Sequence, residues 1–433
     1  MRSAKTTVTA AFFLVLHVIA KSNIGSHTTV PFTTIPVPLR DGQVRIRSAM
    51  ISLTNNNLSY AQLGTPFKWW DAYPVPSSLP APYNDRDAWG IVPAWGYAEV
   101  VESKVPGLEE GVLVWGFWAT GDLPIDFQME KVEGVEGQWV EVSSARAGLM
   151  SLYNRYFVRD GRTRLQGLGE GEVEKMEWET AVRPVWEAGY LLNHAIFGRE
   201  HIHPSGEGEW SLKDASLKDA VVVSLAASGK TALAFAEAAV CGRETGEGPL
   251  GFLAVTSAGK KGLVPEGKSP TMTVEYARMA EESTMEWIEA QRPKKIVLAD
   301  FGGRGSSLQD LHQALAQRFD GVEIMVIGVG GNPEIRTAEQ LGQWAQQNAM
   351  NSSFERIRMN TSGVRETLLK NGDANAYFQG VDEAWGRFRQ SSCVSDLKLQ
   401  LGHGIAGDDG FEGGWTAICE GRVKSDVAMA YRV

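Results

Sequence analysis

Four short apolar runs that never alternate with polar residues constrain the second half of this chain more than any other feature. They occupy residues 220–225, 251–256, 295–299 and 322–328. A strand with one wet face alternates apolar and polar side chains, whereas a strand covered on both faces has no reason to. Helical stretches lie between the runs, from Thr231 to Val240, Met279 to Gln291 and Leu308 to Arg318, and a further one covers residues 185–195. Strand–helix alternation at this spacing predicts a parallel, doubly wound sheet, the architecture of a Rossmann-like domain.

The first half reads differently. Residues up to about 185 are expected to be all-β, with strands at 44–53, 97–103 and 112–118 separated by glycine and proline punctuation. Trp69, Trp70, Trp89, Trp95, Trp115 and Trp118 gather there. Bulky aromatics among turns suit a small barrel, either lining its mouth or filling its core. The expected domains are therefore 1–185 (β-barrel), 186–345 (nucleotide-binding sheet) and 346–433. The last is a segment returning to the first domain, with Trp415 to Glu420 as its expected strand.

A length of 433 residues asks for two cores, and 43% hydrophobic with 22% charged residues is an ordinary globular balance. The formal net charge of -10 argues against a nucleic-acid or anionic-membrane partner, since such binding normally needs a concentrated positive field. Cys241, Cys393 and Cys419 are too dispersed for a disulfide framework or a paired-cysteine metal site, which points to a reducing compartment. The apolar run 10–20 follows Arg2 and Lys5 and has the length of a signal-peptide core. The expectation taken here is instead a buried first strand in a cytoplasmic protein.

The candidate chemistry centres on residues 221–231. In a parallel sheet, ligands bind beyond the carboxyl ends of the strands, where a helix N-terminus offers unpaired N–H groups. Ala227, Ser228 and Gly229 are small enough to let a diphosphate approach the backbone, Lys230 would add a full charge, and Thr231 completes the turn. Gly229-Lys230-Thr231 also matches the end of a Walker A loop, and Asp300 closes a Walker B-like strand. That loop, however, would be about four residues too short to wrap a β-phosphate, as judged against the Walker spacing. The second strand ends in Thr256, Ser257, Lys260 and Lys261 with no carboxylate. An acid there would hold the ribose diol of NADH; hydroxyls and lysines favour the 2′-phosphate of NADPH. Elsewhere, His201 and His203 lack a third metal ligand, and no GxSxG elbow occurs. Residues 54–60 form a polar turn after a strong strand. There Asn56 could orient a substrate carbonyl and Tyr60 could donate a proton to an enolate, or the residues could simply cap the turn.

Taken together, the strand at 44–53, the polar turn with Tyr60 and Gly64, the segments 93–100 and 111–116, and the turn 221–231 resemble the medium-chain dehydrogenase/reductase superfamily. More closely, the chain looks like a family without assigned activity, distantly related to that superfamily. This likeness rests on residues 52–61, Tyr153-Asn154-Arg155-Tyr156, Arg183-Pro184, residues 226–232 and Val255-Thr256-Ser257, and it spans about 17 to 330. It implies a GroES-like barrel joined to a Rossmann-like domain, an NADP cofactor and, by analogy, a homodimer. The superfamily's zinc ligands have no counterpart here, and most glycines of its cofactor motif are replaced. The expected function is a zinc-independent, NADPH-linked oxidoreductase reducing a carbonyl or activated alkene of a small metabolite. The alternative is a non-redox binder, or a lyase or isomerase, on the same scaffold.

Overall fold

The computed structural model describes residues 12–34, 37–257, 263–331, 334–337, 339–343 and 354–433. In the first half, strands β1 (Phe12–Ala20), β2 (His27–Thr34) and β4 (Trp89–Gly90) form a three-stranded sheet. The apolar run near the N-terminus is thus a strand, with Leu16, Val18 and Ile19 fully buried. A barrel follows, built from β3 (Gln43–Leu53), β5 (Pro93–Ser103), β6 (Val112–Ala119), β7 (Ile125–Lys131), β8 (Gln138–Glu141) and β9 (Arg155–Thr163). Its order is β3-β5-β6-β9-β8-β7, and antiparallel pairing of β3 with β7 closes it. Closure leaves the barrel without an open edge between those strands. Trp69, Trp70, Trp95, Trp115 and Trp118 are buried in its core rather than lining a mouth.

The second half holds a six-stranded sheet of β10 (Ala220–Leu225), β11 (Gly251–Thr256), β12 (Thr271–Glu275), β13 (Lys295–Asp300), β14 (Glu323–Gly328) and β15 (Ile357–Arg358). Its order is β12-β11-β10-β13-β14-β15, every pairing parallel. That is the doubly wound dinucleotide-binding order, which reverses direction between β10 and β13. All residues of β10, β11 and β13 are buried, which is why their sequences never alternate.

Among the described residues, the helices of eight residues or more are α1 (Asn55–Gln62), α2 (Glu170–Leu191), α3 (Lys230–Val240), α4 (Glu282–Ala290), α5 (Ser307–Arg318), α6 (Thr361–Asn371), α7 (Ala374–Gln390) and α8 (Phe411–Cys419). One face of the parallel sheet packs on α2, α3, α6 and α7, the other on α4 and α5. After α7 the chain adds β16 (Lys398–His403) and β17 (Val427–Arg432) beside β3 of the barrel sheet.

Three local expectations give way. The all-β reading of residues up to 185 fails at Glu170, where α2 begins. Pro184 lies inside this helix, where it removes one N–H donor and crowds the Thr180 carbonyl. The polar turn at 54–60 is the start of α1, because Thr54 and Asn57 close a reciprocal capping box. Trp415 to Cys419 belong to a helix, not a strand. Trp415 is fully buried and donates from Nε1 to the Ile24 carbonyl, while Gly414 lets the helix settle onto the Tyr431 hydroxyl.

Candidate functional site

The connections after β10 and β13 leave toward opposite faces of the sheet, which is the position where doubly wound sheets bind their ligands in a crevice. The turn 226–229 and the loop 301–306 border this position. Ala226 sits at φ +57°, a left-handed conformation unusual for a residue with a Cβ, and so turns its N–H out of the β10 ladder. Gly229 then caps α3 with backbone alone; no side chain bonds to this helix end. The first N–H groups of α3 therefore keep their donor capacity and the positive end of the helix dipole.

The residues expected to bind cofactor divide into two groups. Ala227, Ser228 and Gly229 stay with the turn: Ala227 donates its N–H to the Val255 carbonyl and Gly229 donates to that of Ala226. Thr256 is buried at the end of β11, Ser257 is exposed beyond it, and Lys260 lies outside the described residues. The other two side chains are committed elsewhere. The Lys230 ammonium, expected to charge the turn, donates to the carbonyls of Val427 (2.6 Å) and Ser425 (3.5 Å), within and just before β17. Burial lowers its pKa to about 8. Thr231 donates from Oγ1 to the Val185 carbonyl of α2 at 2.9 Å. Both leave the first turn of a helix packed against α2 and β17, and main-chain carbonyls are the acceptors within reach.

Tyr276 was not foreseen. It follows β12, and its hydroxyl accepts the outward N–H of Ala226 at 3.0 Å. Burial raises its pKa, so the phenol stays neutral. Asp300, at the end of β13, accepts from the N–H groups of Gly302 (3.0 Å) and Gly303 (2.7 Å) and pairs with Arg356 at 2.6 Å. It thereby shapes the loop 301–303 instead of presenting a carboxylate as a Walker B residue would. A glycine-rich run straight after a buried strand was the available signal for this loop.

The barrel contributes α1. Gln62 at its end donates from Nε2 to the Glu334 carbonyl (3.2 Å) and accepts from the Arg336 N–H (3.3 Å), which ties α1 to the segment following β14. Asn56 and Tyr60 lie one turn apart on this helix. Trp95 donates from Nε1 to the Tyr60 hydroxyl at 3.0 Å. Burial pushes the Tyr60 pKa up to about 12, against the opposing pull of hydrogen bonds from Trp95, Tyr153 and Asn56. Burial likewise raises Tyr153, which also touches Ser362 of α6. The structure thus brings Asn56 and Tyr60 together and adds Tyr153 and Trp95 to them. Asn57, which was not singled out for a role, fixes the helix: it caps Thr54 and donates to the Pro93 carbonyl at 2.9 Å.

Since the N–H groups of Ala226, Ala227 and Gly229 are already bonded, an anion here would meet the first N–H groups of α3, without a lysine. Among the described residues no group of three or more His, Cys, Asp or Glu side chains could hold a metal ion, and none of their helices is long and apolar enough to cross a membrane. His203, half of the pair weighed as metal ligands, bonds instead to the Ser205 hydroxyl at 2.7 Å.

Comparison with known proteins gives a family and a fold. A family model described as "Protein of unknown function (DUF2855)" matches residues 51–424. No curated protein matches the sequence. Among solved structures, a mutant enoyl thioester reductase from Candida tropicalis is similar over 98% of this chain and 100% of its own, at 10% identity and a TM-score of 0.53. A mutant Etr1p in complex with NADP and crotonyl-CoA covers the same shares at 11% identity and a TM-score of 0.53. The Etr1p/NADP/crotonyl-CoA complex does so at 10% and 0.51. The resemblance to the medium-chain dehydrogenase/reductase superfamily holds at the level of fold: a GroES-like barrel with a Rossmann-like sheet.

Proposed function

The chain belongs to the DUF2855 family of unknown function, and from that premise we propose that it is a zinc-independent, NADP-linked oxidoreductase. Its substrate is a small, fairly apolar metabolite carrying a carbonyl or an activated alkene. One observation carries this reading. The uncapped N-terminus of α3 lies at the reversal point of a doubly wound sheet, and the barrel helix bearing Asn56 and Tyr60 is bonded to the segment beyond β14. The superfamily fold and the NADP bound in its structural neighbours agree with it.

Ser228 and the first N–H groups of α3 would hold the diphosphate, with Ala227 and Gly229 shaping the turn around it and Thr256, Ser257 and Lys260 near the 2′-phosphate. When bound, the nicotinamide supplies a hydride to the electrophilic carbon. Asn56 would hold the carbonyl oxygen through its amide. Tyr60 is suited to be an acid rather than a base, since a phenol near pKa 12 stays protonated at neutral pH. Trp95 fills an acceptor position on its oxygen and leaves the phenol's own proton to give. After transfer the phenolate takes a proton back from water. Oxidation of NADPH followed by absorbance, over a panel of enals, enones and ketones, tests the proposal. Tyr60→Phe should slow turnover by about 100-fold or more while leaving NADPH affinity within twofold (an order-of-magnitude bound). Equal rates in both proteins would remove Tyr60 from the chemistry.

The alternative, a non-redox binder or a lyase or isomerase, is favoured by two contacts. Lys230 is spent on β17, and the Ala226 N–H is taken by Tyr276. The three free cysteines suit a reducing, cytoplasmic setting. Superfamily analogy adds a homodimer to the proposal, which sedimentation equilibrium would check.

A further inference from the structure

The carboxyl edge of β14 and β15 carries more positive charge than its surroundings neutralise. Arg356 lies along the last residue of β14: a Cβ on Gly328 would stand 2.6 Å from the Arg356 Nε. Its guanidinium pairs with Asp300 through one terminal nitrogen, and its Nε is buried with no hydrogen-bond partner among the described residues. Arg358, two residues on at the end of β15, is exposed. It has no hydrogen bond or ion pair among the described residues; burial and then the neighbouring Arg356 lower its pKa, while Asp300 opposes them. Two guanidinium groups therefore face a single carboxylate, in a protein whose net charge is -10. Holding two like charges together, one of them with a buried and unpaired Nε, is costly unless something negative joins them.

We propose that Arg358, supported by Arg356, is the recognition site for an anionic group of the substrate, a carboxylate or a phosphate. The position follows from the fold. These residues stand at the carboxyl ends of β14 and β15, in the half of the crevice away from the turn 226–229 and the 2′-phosphate subsite. From Arg358 the chain runs through Met359, whose N–H bonds the Gly328 carbonyl, into α6, where Ser362 touches Tyr153 beside Tyr60. The anion-recognising end and the proton-donating end of the site are thus joined by one short segment. A planar guanidinium binds carboxylate or phosphate through paired N–H donors, and Arg358 has them all to spare. The substrate is then an apolar body with an anionic head. This rests on the crevice being the substrate site, as in the proposed function, but not on hydride transfer.

Binding measurements on the full-length protein test it without a turnover assay. Trans-2-hexenoate and its methyl ester, each titrated by calorimetry with and without saturating NADPH, are the probes, and NADPH alone is the control. Wild type should prefer the carboxylate by about tenfold or more, and Arg358→Met should shrink that preference below about threefold with NADPH affinity unchanged. Arg358→Lys should restore part of the preference. If Arg358→Met weakens NADPH but not the carboxylate, the guanidinium serves a cofactor phosphate and the proposal falls. It falls equally if wild type does not discriminate acid from ester. Should NADPH fail to bind at all while the carboxylate preference persists and depends on Arg358, the redox reading is lost and the anion site stands.

Discussion

The helix N-termini of α1 and α3 are finished in opposite ways. That of α1 is closed by its own sequence: Thr54 and Asn57 cap each other's backbone, and Asn57 reaches on to Pro93. That of α3 has no side-chain cap and is held from behind by remote contacts. Thr231 bonds α2, Lys230 bonds β17, and Gly189 of α2 packs against the Thr231 carbonyl. A locally closed end fixes a helix and leaves nothing for a ligand. An end anchored at a distance can be equally fixed while its donors stay free, which is what an anion site requires.

The largest effect is expected at the remote anchor. A Cβ on Gly189 would stand 2.2 Å from the Thr231 carbonyl oxygen and 2.9 Å from the Phe235 nitrogen, both backbone atoms that yield poorly. Gly189→Ala should cost roughly 3 kcal/mol in denaturant unfolding and weaken NADPH binding by displacing α3. Unchanged stability would mean that α2 and α3 are not the clamp described. Next comes the closed end. Asn57→Ala removes a cap and leaves the buried Pro93 carbonyl unpaired, for about 2 kcal/mol, with NADPH affinity retained. A loss of NADPH binding without loss of stability would reverse the roles given to the two ends.

Smaller effects probe the open end itself. Ser257→Asp places a carboxylate beside the proposed 2′-phosphate and should reduce the preference for NADPH over NADH by about tenfold; an unaltered ratio would move the 2′-phosphate elsewhere. Lys230 supplies the mildest test. Its folded pKa, about 8, lies below the ordinary value of 10.5, so between these values the unfolded chain binds more protons. Wild-type stability should therefore rise with pH across that window relative to Lys230→Met, with no pH-dependent difference from this group below it. Urea midpoints near neutrality, pH 8.5 and pH 10 would reveal a flat profile if the amine were not buried as described.

The architecture was legible in sequence because burial writes itself into strand composition: β10, β11, β13 and β14 coincide closely with the four unalternating runs. Long-range commitments were not legible. Nothing local in Gly229-Lys230-Thr231 reveals that the lysine turns to Val427, nearly two hundred residues on, or that Tyr276 reaches the Ala226 N–H from beyond β12. Pairings of that kind depend on which strands become neighbours. Asn56 and Tyr60 were visible as polar groups after a strong strand, but Trp95 and Tyr153 join them only through contacts between residues far apart in sequence.

Calorimetric titration of the full-length protein with NADPH goes most directly to the heart of this account. A single site with a dissociation constant on the order of micromolar, weaker for NADH, is the predicted result. No detectable heat for either nucleotide, in a protein that unfolds cooperatively and is therefore intact, would contradict it.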